Sequence, residues 1–298
     1  MSVAMRLKSI ITLCRPKQWV KNLFVMLPLF FSGNILNFSM LAYAMVAFVS
    51  FCLVSSGIYC LNDYVDADAD RQHPKKKFRP IASGEVGKVA AVTMMVVLFA
   101  GAVGILAVLP PMQFCYSATI ICVYYLMNIA YCLRLKRIAL VDVFVISFGF
   151  VLRVAMGGTA TDIFVSHWII LMTFLLALFL ALAKRRDDII IFNTTGKKMR
   201  NNIDRYNLDF VNQSTTLVAT VMLVCYIMYT VSPEVVERFG TNLIYITSIF
   251  VLGGILRYIQ LAVVFANTGS PTRVLLHDRF VQACIVGWLI TFGIIIYF

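Results

Sequence analysis

Charge is scarce in this chain. Only 13% of its 298 residues are Asp, Glu, Lys or Arg, about half of the roughly 25% found in soluble domains. Hydrophobic residues make up 61%, and the mean hydropathy is +0.87. A soluble core of this length cannot hide so much apolar surface, but a bilayer can. The composition therefore excludes an ordinary soluble domain and implies an integral membrane protein. Histidine is rarer still. His73, His167 and His277 are the only three; they form no ligand pattern, and no catalytic role falls to them. The eight cysteines include no CxxC pair and no metal-ligand spacing. Most lie inside apolar runs (Cys52, Cys60, Cys115, Cys122, Cys225, Cys284), as small packing residues do. No cleavable signal peptide is expected, because the first apolar run continues past Pro28 with no small-residue cleavage site behind it. No tandem repeat and no nucleic-acid module is evident.

Acidic residues are also few, 14 against 26 Lys and Arg, which leaves a net charge of +12. The basic residues sit between apolar segments, so much of this excess reports membrane topology. A spanning helix needs about 20 apolar residues. That length predicts nine spans, at 19–37, 39–61, 86–109, 112–133, 138–158, 166–183, 214–232, 241–264 and 279–298. The first is interrupted by Pro28, Gly33 and Asn34. With nine spans the basic clusters all fall on one side: Arg6 to Lys21, Arg71 to Arg79, Arg134 to Arg137, Lys184 to Arg205, and Arg273 with Arg279. Arg238 is the clear exception. The positive-inside rule makes this side cytoplasmic, which for a bacterial chain means the inner membrane. The expected organisation is a single polytopic membrane domain over 1–298. Its two long cytoplasmic loops, 62–85 and 184–213, hold nine of the fourteen acidic residues. Loops of that length tend to be functional.

The first loop opens with Asn62-Asp63-Tyr64-Val65-Asp66-Ala67-Asp68-Ala69-Asp70. If the second helix runs on to this point, Asp63, Asp66 and Asp70 stand at i, i+3 and i+7 on one face, with Asn62 four before Asp66. Three carboxylates on one face repel one another unless a cation lies among them. Magnesium prefers a few carboxylates plus substrate phosphate oxygens, so this face suits a magnesium–diphosphate site; a solvated acidic loop is the alternative. An EF-hand is excluded. A loop started at Asp66 would put Arg71 at its glycine position and Lys77 at its bidentate glutamate position.

The basic run from Arg71 through His73, Pro74, Lys75, Lys76 and Lys77 to Arg79 would neutralise an anionic substrate. Lys75 and Lys76 serve equally well as topology charges. A second cluster, Lys184-Arg185-Arg186-Asp187-Asp188, ends the sixth span, with Lys184 and Asp188 one turn apart. In Arg15-Pro16-Lys17-Gln18-Trp19-Val20-Lys21-Asn22, Trp19 can anchor at the interface, and Lys21 lies deeper, where an unpaired charge is costly. Tyr131, Lys136 and Asp142 flank the loop after the fourth span. Arg153 lies within the fifth, eleven residues and about 16 Å of helix from Asp142, too far for direct pairing. Arg257 and Asp278-Arg279 have no assigned role.

The pattern Asn62-Asp63-x-x-Asp66-x-x-x-Asp70 resembles the first aspartate-rich motif of the UbiA superfamily of intramembrane prenyltransferases. The resemblance covers essentially the whole chain. It implies an all-α integral membrane fold of nine helices around a central cavity open to lipid and cytoplasm. It also implies Mg2+ bound by Asn62, Asp63, Asp66 and Asp70. Within the superfamily, four stretches resemble the phosphoribosyltransferase branch: Arg15 to Asn22, Asp70 to Ala82, Lys184-Arg185, and Asp278-Arg279. That branch transfers phosphoribose from 5-phosphoribosyl 1-diphosphate to a polyprenyl phosphate. The resemblance makes Asp63, Asp66 and Asp70 catalytic. It assigns Lys21, Asn22, Arg71, Arg79, Tyr131, Lys136, Lys184, Arg185 and Asp188 to substrate. Ordinary superfamily members carry a second Asp-x-x-x-Asp motif; here the stretch begins with Lys184. A cation in place of an acid removes a metal ligand and adds a phosphate partner. Two other readings stand beside this one: prenyl transfer from a prenyl diphosphate to an aromatic or glycerol acceptor, and a transporter or lipid flippase.

Overall fold

The structure is a computed structural model and describes residues 3–72, 76–196, 202–265, 274 and 277–297. His73, Pro74, Lys75, Lys197, Lys198, Arg200 and Arg273 lie outside these, as do the side chains of Arg6 and Lys8. Among the described residues every regular element is helical, and seven helices are long and apolar enough to cross a membrane. Residues 1–136 with 151–165 form one compact unit, and 137–150 with 166–298 form a second.

The first unit begins with α1 (Val3–Cys14). A 3-10 stretch (Pro16–Met26) and the short α2 (Leu27–Phe31) follow it. The expected first span at 19–37 is therefore not a continuous helix. Pro16 and Pro28 remove backbone donors, and Gly33 turns the chain at φ 77°. The irregular segment packs instead against α7 (Val141–Thr161), where a Cβ on Gly157 would run into the carbonyl of Val25. Glycine is needed at 157 because that backbone comes so close.

The next spans match expectation more closely: α3 (Phe38–Val65), α5 (Lys88–Ile105, continued as a 3-10 turn to Val108) and α6 (Pro111–Leu133). Between α3 and α5 lies α4 (Ala67–Arg71). Helices in lipid gain little from apolar burial alone, so small residues and interhelical hydrogen bonds carry the packing. Gly57 of α3 meets the Met95 carbonyl of α5, and Ser50 Oγ donates to Ala102 O at 2.7 Å. Phe51, Ile121, Tyr124 and Met156 fill the core behind them.

The second unit takes the first half of α7, then α8 (His167–Thr195), α9 (Leu208–Thr230), α10 (Pro233–Phe239), α11 (Ser248–Val263, preceded by a 3-10 turn from Leu243) and the apolar α12 (Arg279–Tyr297). Ser166 caps the start of α8, accepting from the N–H of Ile169. Gly196 ends it in the left-handed conformation at φ 67°. α8 runs twelve residues past the expected end at 183. Lys184 to Asp188, and the first part of the expected 184–213 loop, are therefore helical. Leu175, Phe179, Ala183, Ala219, Met222 and Tyr258 form the core of this unit.

Candidate functional site

α3 keeps its helical bonding through the aspartate motif. The N–H of Asp66 donates to Asn62 O at 3.0 Å, and that of Asp70 to Asp66 O at 2.8 Å. Asp66 itself sits at the break between α3 and α4, with φ −92° and ψ 3°. The three carboxylates consequently do not share one set of neighbours. Asp63 and Asp70 are both buried and are joined by one guanidinium nitrogen. Arg79 Nη1 lies 3.0 Å from Asp63 Oδ1 and 2.6 Å from Asp70 Oδ2. Asp66 Oδ1 is bonded to Lys136 Nζ at 2.5 Å. Asn62 Oδ1 accepts from Cys132 Sγ at 3.8 Å.

Arg15 is a member of this cluster that the motif did not reveal. Its Nη2 lies 2.5 Å from Asp63 Oδ1, and its guanidinium covers the Tyr59 ring. Arg15 adopts φ 51°, a left-handed conformation costly for a residue with a Cβ. The sequence signal was its place at the head of the basic Arg15 to Asn22 stretch. Lys76 Nζ stands 4.0 Å from Asp70 Oδ1. Arg71 ties its own loop, donating to Asp68 Oδ1 at 2.7 Å and to Ala82 O at 3.3 Å.

These residues fit a divalent ion of one kind. Among the described residues no three acidic, Cys or His side chains converge to make an all-protein cage. Paired carboxylates backed by an amide suit a hard cation that completes its shell with phosphate oxygens and water. The basic partners already present at 2.5–3.0 Å show that the cluster draws positive charge.

Other expected site residues are placed differently. Asn22 is 1% exposed, and its amide is committed within the protein. Its Oδ1 accepts from Arg153 Nε at 2.8 Å, and its Nδ2 donates toward Ser55 Oγ and Cys52 Sγ. Arg153 also donates to Tyr124 Oη at 3.0 Å and lies over the Phe51 and Tyr124 rings, which explains how a charge is tolerated there. Trp19 Nε1 donates to Ser56 Oγ, so its polar end is bonded to α3. Tyr131 is half-buried against the core, and Lys21 is half-buried in the 3-10 stretch.

In the second unit, Lys184 is exposed on α8, while Arg185 and Asp188 are buried. Arg185 Nε donates to Asp142 Oδ2 at 2.8 Å, and its Nη1 reaches Asp188 at 3.4 Å. Tyr206 Oη donates to Asp142 Oδ1 at 2.8 Å and accepts from the N–H of Leu140. Burial first, and the Asp142 carboxylate second, push the Tyr206 phenol up to about 12. Asp142 thus pairs with Arg185, forty-three residues away, while Arg153 lies too far along the helix to reach it. Arg257 and Asp278 pair at 2.8 Å. Asp278 also caps α12 through the Val281 N–H. The Arg257 hydrogen bond holds its carboxyl below the usual range.

The sequence pattern of the UbiA prenyltransferase family matches residues 23–263, and the chain belongs to that family. Among its relatives is the decaprenyl-phosphate phosphoribosyltransferase of Mycolicibacterium smegmatis, 34% identical over 95% of this chain and 91% of the relative. The Corynebacterium glutamicum protein of the same name is 32% identical over 95% of this chain and 85% of its own. The chain also superimposes on a UbiA homolog from Archaeoglobus fulgidus bound to DMAPP and Mg2+, with a TM-score of 0.72. The two are 17% identical, and the match covers 96% of this chain and 99% of that one. That likeness shows the fold. The chain is an all-α integral membrane transferase of this family.

Proposed function

We propose that the protein transfers phosphoribose from 5-phosphoribosyl 1-diphosphate to a polyprenyl phosphate and releases diphosphate. The observation that carries this reading is the density of cations on the aspartate motif: Arg15, Arg79 and Lys136 all touch its carboxylates. A donor bearing both a diphosphate and a 5-phosphate, and a lipid phosphate acceptor, need more positive charge than a neutral acceptor does. The relatives named above support the substrate pair, and Lys184 in place of an acid supports it over prenyl transfer to an aromatic or glycerol acceptor.

Asp63, Asp66 and Asp70, with Asn62, would hold Mg2+, which supplies charge neutralisation to a diphosphate leaving group. Arg79 orients Asp63 and Asp70 and offers its remaining N–H groups to phosphate oxygens. Arg15, Lys136, Lys76 and Arg71 extend the same positive field. Lys21, Lys184, Arg185 and Asp188 are the further substrate candidates, with Lys184 the exposed phosphate contact among them. A lipid phosphate oxygen attacks the anomeric carbon, the carbon–oxygen bond to diphosphate breaks, and diphosphate leaves with the electron pair. A phosphate monoester is already ionised near neutral pH, so no strong base is needed, and positioning with fixed charge carries the rate. The chain would work as one polytopic domain, with the 62–85 and 184–213 segments facing the cytoplasm of a bacterial inner membrane.

The test uses detergent-purified protein with radiolabelled 5-phosphoribosyl 1-diphosphate, a polyprenyl phosphate and Mg2+. Label should enter the organic phase and should disappear on chelation or in Asp63→Ala. Transfer from a prenyl diphosphate instead, with no ribosyl transfer across several polyprenyl phosphates, would refute the proposal.

A further inference from the structure

Arg186 stands in the basic run of α8, and the proposed reaction makes no use of it. Its side chain is buried, 7% exposed. Nε donates to Asn212 Oδ1 at 2.8 Å, and Nη1 donates to the backbone carbonyl of Ala262. Both acceptors are neutral, and among the described residues no carboxylate pairs with this guanidinium. A buried charge without a counter-ion is costly. The guanidinium lines a cavity of about 260 Å³ formed by α8, α9 and α11, the space of about eight waters. Tyr258, 5% exposed, lines the same cavity, and its hydroxyl has no hydrogen-bond partner among the described residues. One cavity thus holds a cation whose bonded acceptors are both neutral and a donor lacking an acceptor among the described residues, with the Asp187 carboxylate near enough to act on the Tyr258 phenol.

We infer that this cavity is a phosphate-ester site, distinct in its residues from the aspartate motif, that takes the head group of an anionic lipid. A phosphate is acceptor-only and negative, so it meets both needs at once: the free N–H groups of Arg186 and the Tyr258 hydroxyl can both donate to it. The surroundings favour a lipid. Val263 lines the cavity and is 46% exposed, and Val264 beside it at the end of α11 is 69% exposed. Exposed apolar side chains at the end of spanning helices lie against acyl chains. Free phosphate has the same chemistry without the tails.

The experiment uses the full chain, delipidated in a neutral detergent. Thermal unfolding and native mass spectrometry follow the addition of phosphatidylglycerol, diacylglycerol or inorganic phosphate. Phosphatidylglycerol should raise the unfolding temperature and remain bound, and diacylglycerol, which has the tails without the phosphate, should do neither. Tyr258→Phe removes a hydroxyl that no described residue bonds. It should leave lipid-free stability unchanged and weaken the apparent phosphatidylglycerol affinity about tenfold, the worth of one hydrogen bond to a charged group. Arg186→Gln should abolish the response. A rise reproduced in full by inorganic phosphate would keep the phosphate site and identify its occupant as soluble. Equal responses to the two lipids, or an unchanged affinity in Tyr258→Phe, would overturn the inference.

Discussion

Replacing Asp142 with Asn tests the electrostatics of the second unit. The Asp142 and Arg185 side chains are 0% and 1% exposed, with Nη2 and Oδ2 2.8 Å apart. Asn keeps the shape and can still accept from Tyr206, but it removes the charge that Arg185 faces. Breaking a buried pair from one side costs about 3–5 kcal/mol. Asp188, 3.4 Å from Arg185 Nη1 and 12% exposed, compensates part of the remaining charge, so the lower end applies. A loss of about 3 kcal/mol is roughly a 150-fold shift in the unfolding equilibrium. The assay is equilibrium unfolding in mixed micelles, titrated with a denaturing detergent. The double variant Asp142→Asn/Arg185→Met should recover most of the loss, because no lone charge is left buried. A loss below about 1 kcal/mol, or a double variant no more stable than the single, would refute this account.

Further expectations concern the aspartate cluster, the packing and pH. Asp66→Ala should lower turnover by about a hundredfold or more while the protein still elutes as a folded species; the label-transfer assay above measures it, and near-normal turnover would remove Asp66 from the site. Gly157→Ala should leave little folded protein in the membrane fraction, because the added methyl meets the Val25 carbonyl; normal yield and unfolding temperature would contradict that close approach. Tyr206, raised to about 12, favours its neutral form in the folded state. Its contribution to stability is therefore whole below the ordinary phenol value near 10 and is lost as pH rises toward 12. The difference in phenolate absorbance between wild type and Tyr206→Phe should show a late titration, and a midpoint near 10 would contradict the burial. Asp278, held below the usual carboxylate range, works in the opposite direction. Its capping contribution is present above about pH 4 and lost as pH falls through the lowered value; Arg257→Ala should reduce that acid-side slope.

The membrane class, the positions of seven spans and the aspartate motif were legible because each rests on a local property. Run length, charge between runs and carboxylate spacing are one-dimensional quantities. The basic run that follows the motif holds one of the cations on it: Arg79, expected at a phosphate, is bonded to Asp63 and Asp70. The first span failed because apolar content alone does not make a helix. Pro28 lacks a backbone donor, Gly33 turns the chain, and the pieces are held by packing on α7. The sixth span ran long because charged residues are poor markers of a helix end: Lys184 to Asp188 continue the helix to the glycine that stops it at 196.

What the sequence alone determined is therefore the solvent this protein folds in, the family it belongs to and the acidic motif it carries. The tertiary structure alone decided the pairing of its charges. Arg15 with Asp63 spans forty-eight residues, Lys136 with Asp66 seventy, Arg185 with Asp142 forty-three, and Arg153 with Asn22 one hundred and thirty-one. An ion pair leaves no periodic trace along a chain. Its partner is fixed by which helices pack together and at what height, and in a low-dielectric interior that choice settles whether a charge is buried, satisfied or left for a ligand.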